Sequence, residues 1–122
     1  VNQLQTENIP KIQIDFETSQ FDEFFLEAID QTFSTLLGNN AKQVVFSFLD
    51  KKYKLTKEDL PNRIGDFIIG LEQVFGRSAT LIELEIMKNL KKSVPSFNYL
   101  VERSDFSFEQ YAESLKHQMA NF

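Results

Sequence analysis

The sequence contains no cysteine. This excludes disulfides, thiolate nucleophiles, iron–sulfur ligation and the common structural zinc sites. It fits a cytoplasmic location, which is the expectation. Tryptophan is also absent, and there is a single histidine, His117. The four glycines are scattered at positions 38, 65, 70 and 76, so there is no glycine-rich phosphate loop. No serine sits in a nucleophile elbow. No apolar run approaches the roughly 20 residues that a membrane-crossing helix needs. The residues show no signal-peptide pattern, no internal repeat and no low-complexity tract. A membrane is therefore not expected as a partner.

What is present suits one helical domain. A chain of 122 residues, 42% of them hydrophobic, can bury a single core of modest size. Phenylalanine is the abundant aromatic, with 13 residues. Most of these fall at helical spacing, which marks them as core filler. The net charge is −5 and unevenly spread. Residues 1–41 carry one base and seven acids, residues 42–92 ten bases and seven acids, and residues 93–122 two bases and four acids. The overall acidity argues against general affinity for nucleic acid. The asymmetry allows an acidic surface to meet a basic one.

Residues 1–19 read as a polar N-terminal extension, and residues 20–122 as a single helical domain. Within the extension, Ile12, Ile14 and Phe16 alternate with polar residues, which predicts a short strand at about 11–16. The first helix is expected over residues 21–37, with Ser19 as N-cap. Its buried stripe is Phe21, Phe24, Phe25, Ala28, Ile29, Thr32, Phe33 and Leu36. Gly38 suits the residue after the helix, where a positive φ is needed. A second helix follows over residues 41–54, capped by Asn39 or Asn40. Ala41, Val44, Val45, Phe48, Leu49 and Tyr53 form its broad apolar arc. Lys51, Lys52 and Lys54 gather at its C-terminal end, where cations suit the helix dipole.

Thr56 and Asp59 form a capping pattern for a third helix over residues 57–75, with Pro61 one turn in. Its stripe is Ile64, Phe67, Ile68, Leu71, Val74 and Phe75, and Ile69 points away from it. Gly65 and Gly70 each weaken a helix by about 1 kcal/mol relative to Ala. Gly76 ends this helix and Ser78 caps a fourth over residues 78–92. Ala79, Ile82, Ile86 and Leu90 share one face of that helix, with Met87 at its border. Leu81 and Leu84 fall on nearly the opposite side. Phe97, Tyr99 and Val101 alternate, predicting a second short strand at about 97–102. A last helix opens at Ser107 with Gln110 completing a capping box, and carries the stripe Phe108, Tyr111, Ala112, Leu115 and Met119. The expected fold class is mainly α, a compact five-helix domain with two short strands.

Site chemistry is sparse. His117 lies opposite the stripe of the last helix, and no neighbouring residues supply the nucleophile and orienting acid of a general base. Glu23 and Glu27 stand one turn apart, and Glu83 and Glu85 are close in sequence. The alternating acids and glycine of a calcium loop are missing, so these read as hydrated helix faces. No enzyme activity, catalytic residue, metal or cofactor is expected. The residues least explained by a single core are Ile69, Leu81 and Leu84, the expected partner surface. They suit a protein partner or a second copy of the chain.

Three blocks carry a family resemblance. They are Leu60-Pro61-Asn62-Arg63-Ile64-Gly65-Asp66-Phe67, then Leu71-Glu72-Gln73-Val74-Phe75-Gly76, then Leu81-Ile82-Glu83-Leu84-Glu85-Ile86-Met87-Lys88. Together with residues 45–53 and 106–113 they resemble the core of a small archaeal output domain, the fifth Nitrosopumilus output domain family. Residues 1–19 lie outside the resemblance, and Ser78-Ala79 stands where that family usually has Gly-Ala. The resemblance implies a helical output module in archaeal cytoplasmic signalling and implies no catalytic or binding residues. The alternative is a helix-turn-helix nucleic-acid binder. Lys51, Lys52, Lys54, Lys57 and Arg63 would then supply phosphate contacts, against the acids Glu58, Asp59 and Asp66 on the same helix.

Overall fold

A computed structural model describes residues 2–97 and 107–120, with side chains from Gln20 onward. Five helices make up the fold among these residues: α1 (Asn2–Leu37), α2 (Asn39–Tyr53), α3 (Ile64–Phe75), α4 (Ala79–Ser93) and α5 (Phe108–Ala120). No strand occurs among them. The strand expected at about 11–16 is instead part of α1. Three alternating residues are weak evidence, and an isolated strand leaves its backbone groups unpaired, whereas a helix satisfies them internally. The helix therefore runs through Ser19, which is not an N-cap. The second expected strand lies outside the described residues except for Phe97.

The turns show what the backbone demanded. Gly38 has φ +86° and Gly76 has φ +58°, with ψ values of 164° and −129°. Few residues other than glycine adopt these combinations. Gly38 also caps α2 in place of the expected asparagines. The third helix is divided. Residues Lys57–Asn62 form a 3-10 helix, and α3 starts only at Ile64. Pro61 has no N–H, and Arg63 takes a non-helical φ of −136° between the two pieces. The Thr56–Asp59 capping box is present, with the Thr56 N–H and hydroxyl donating to Asp59 Oδ2 at 3.0 and 2.7 Å. Gly76–Ser78 is a single 3-10 turn, and Ser78 makes no side-chain cap. Ser107 does cap α5, accepting the Gln110 N–H at 3.2 Å.

The core is built on α1, which packs against α2, α4 and α5. Phe25 is its aromatic centre, stacked with Phe21 (5.3 Å) and Phe108 (6.1 Å) and edge-on to Phe67 (6.4 Å). All four rings are buried, as their periodicity predicted. Aromatic pairs of this kind add about 0.5–1.5 kcal/mol beyond simple burial. One polar link crosses the interior: Asn89 Nδ2 of α4 donates to Thr32 Oγ1 of α1 at 2.8 Å, both side chains buried. Between α2 and α3, Gly70 makes close approach possible. A Cβ there would overlap Leu49 Cδ2 and sit 3.7 Å from Tyr53 Cε2.

Candidate interaction surfaces

The α4 helix has two faces of opposite character. Ala79, Ile82, Ile86 and Leu90 are buried against the bundle. Leu81 is 66% exposed and Leu84 42% exposed. At about 100° per residue both lie far round the helix from the buried face. Neighbouring polar groups on this outer side are Glu85 and Lys88, paired at 3.7 Å. Phe97 packs edge-on to Tyr111 of α5 at 5.2 Å. Ile69 is 53% exposed but stands on another helix, α3. The three residues singled out by sequence are therefore all exposed, on two separate helices.

Sequence reasoning missed a second apolar surface. Val44 on α2 and Val74 on α3, each assigned to a core stripe, are 67% and 38% exposed. They line a groove of about 290 Å³ between the two helices, together with Val45, Phe48, Lys52 and Gln73. A second depression, formed by Gln43, Val44, Ser47, Phe48 and Lys51, shares Val44 and Phe48 with it. The breadth of the α2 arc was the available signal. Val44 and Leu49 lie about 140° apart round the helix, more than one neighbour covers. Leu36, also placed in a core stripe, and Ala41 are exposed as well.

The basic residues divide into two groups. Lys42 and Lys57 both pair with Asp30, at 3.0 and 3.3 Å. Burial pushes the Asp30 carboxyl up, but hydrogen bonds from the two ammonium groups outweigh it and hold the carboxyl below its ordinary value. Arg63 closes the end of α2. Its Nη1 donates to the Lys54 carbonyl at 2.8 Å and its Nη2 to the Tyr53 carbonyl at 3.3 Å, while Nε pairs with Asp66 at 2.9 Å. Lys51 and Lys52 are exposed, and Lys52 Nζ lies 5.9 Å from the Phe48 ring centroid. Ten residues, 54–63, separate α2 from α3, where a helix-turn-helix has a three- or four-residue turn.

Glu23, Leu26, Glu27, Asp30 and Lys57 line a shallow hollow in which Lys57 already engages Asp30. Burial, reinforced by Glu72, raises the Glu83 carboxyl. Burial also raises Asp22, partly opposed by Lys116. Among the described residues no three His, Asp or Glu side chains are arranged to hold a metal ion, and no helix is long and apolar enough to cross a membrane. His117 is exposed on α5. No protein-family model matches the chain, and no curated protein or solved structure shows significant similarity to it.

Proposed function

We propose that this domain is a non-enzymatic protein-interaction module, of the output type in archaeal cytoplasmic signalling, that self-associates through the outer face of α4. The observation that carries the reading is the exposure of Leu81 and Leu84 opposite a fully packed helix face. Fully burying a leucine side chain is worth about 1.5–3 kcal/mol, so a two-fold contact that covers both residues in both copies has a substantial driving force. The family resemblance in residues 60–88 supplies the signalling context.

Light scattering of the purified domain over a concentration series tests the reading. The expected result is a dimer that Leu81→Glu and Leu84→Glu convert to a folded monomer. A wild-type monomer at every concentration would sink the self-association, and turnover of a small-molecule substrate would sink the non-enzymatic reading. No observation favours the helix-turn-helix alternative: Lys57 and Arg63 are held in internal contacts, and the spacing of α2 and α3 is too long.

A further inference from the structure

We infer that the groove between α2 and α3 is a docking site for an acidic amphipathic helix of a partner protein. It is separate from the α4 face and does not depend on it. Three features of the groove lead there. The first is apolar exposure. Val44 and Val74 are open to solvent on the two walls, and half-buried Phe48 lines the groove one turn along α2 from Val44. The second is charge. The residues lining the two joined depressions include the cations Lys51 and Lys52 and no acid. Neither lysine has a salt bridge among the described residues, whereas Lys42, Lys57 and Arg63 do. A segment carrying Asp or Glu beside its apolar stripe is the complement of this rim. The third is the nature of the walls. Both are helices whose backbone groups are satisfied internally, so they offer an incoming chain side chains only. A partner that buries itself here must satisfy its own backbone hydrogen bonds, which selects a helix over an extended strand. From Val44 to Lys52 the α2 wall spans nine residues, a rise of about 12 Å, enough for about two turns of a partner.

The test uses the full chain and two synthetic 14-residue helical peptides. Both carry leucines at helical i, i+3, i+7 spacing. One is flanked by glutamates and the other by lysines. Each is titrated into isotopically labelled protein and followed by amide chemical shifts. The expected result is binding of the acidic peptide alone, with shift changes concentrated at Val44, Phe48, Lys52, Gln73 and Val74. The doubly reversed variant Lys51→Glu/Lys52→Glu should weaken it about tenfold. Val44→Glu should abolish binding, and its exposure makes that substitution compatible with folding. Equal binding of both peptides, or no binding, would overturn the proposal. So would shift changes centred on Leu81 and Leu84, or a dimer that Val44→Glu dissociates. The α4 self-association can fail in light scattering without touching any of these outcomes.

Discussion

Replacing Thr32 by Val swaps a buried hydroxyl for a methyl group of nearly the same size. Its consequence falls on another helix. Thr32 Oγ1 accepts the hydrogen bond from Asn89 Nδ2 at 2.8 Å, and Asn89 is 7% exposed. With the acceptor gone, a buried amide donor loses its partner. Leaving such a group unsatisfied costs about 1–3 kcal/mol, which exceeds the net worth of a typical hydrogen bond. Asn89→Leu should cost a similar amount by orphaning the hydroxyl. The double variant Thr32→Val/Asn89→Leu removes both polar groups and restores apolar contact, so it should cost clearly less than the two singles together. The assay is urea unfolding of all four proteins, read at the midpoint with the slope checked for constancy. A domain of this size loses about 4 °C of melting temperature per kcal/mol, so calorimetry offers a second readout. A coupling energy above about 0.5 kcal/mol is expected. Strictly additive single effects would refute the claim that these two side chains depend on each other.

Two further outcomes follow from the packing and the charges. Gly70→Ala should destabilise the domain by about 1 kcal/mol. The new Cβ would overlap Leu49 Cδ2 in a closed core, and overpacking of about 1–3 kcal/mol outweighs a helix-propensity gain of about 1 kcal/mol. An Ala variant as stable as the wild type in urea would show that Leu49 moves aside freely. The second outcome concerns pH. Burial raises the Asp22 carboxyl despite the nearby Lys116 ammonium, and Asp22 Oδ1 is buried without a hydrogen-bond partner among the described residues. The folded state therefore holds this proton more tightly than the unfolded chain. Stability from this group is present when it is protonated and is lost as pH rises from the ordinary carboxylate value through the raised one. Asp22→Asn should remove that loss, so its advantage over wild type should grow as pH rises above the ordinary carboxylate value and then level off once the raised group is ionised. Parallel stability curves for the two proteins would count against it.

Much of the fold was legible along the chain because it rests on local rules. The apolar spacing of residues 21–33 and 108–119 predicted the buried faces of α1 and α5. Thr56 with Asp59, Ser107 with Gln110, and the glycines at 38 and 76 marked element ends through hydrogen bonding and backbone sterics within a few residues. Leu81 and Leu84 were legible as outliers because they oppose a complete stripe on their own helix. The alternation at 11–16 misled because period-2 patterns are short, and a helix needs no partner to satisfy its backbone.

Only the tertiary structure decided which of two apolar faces a helix keeps. The α2 arc is wide enough to face two ways, and its sequence cannot say that Gly70 draws α3 onto Leu49 and leaves Val44 outside. The lysines show the same limit. In sequence Lys51, Lys52, Lys57 and Arg63 are a single run of cations around the junction of the second and third helices. Folding brings Asp30 from α1 to Lys57 and the end of α2 to the Arg63 guanidinium, while Lys51 and Lys52 remain at the rim of a groove. Local stereochemistry writes helix ends and periodic faces into the chain. Which charges meet and which hydrophobic side chains stay exposed depends on residues far apart in sequence, and packing alone brings them together.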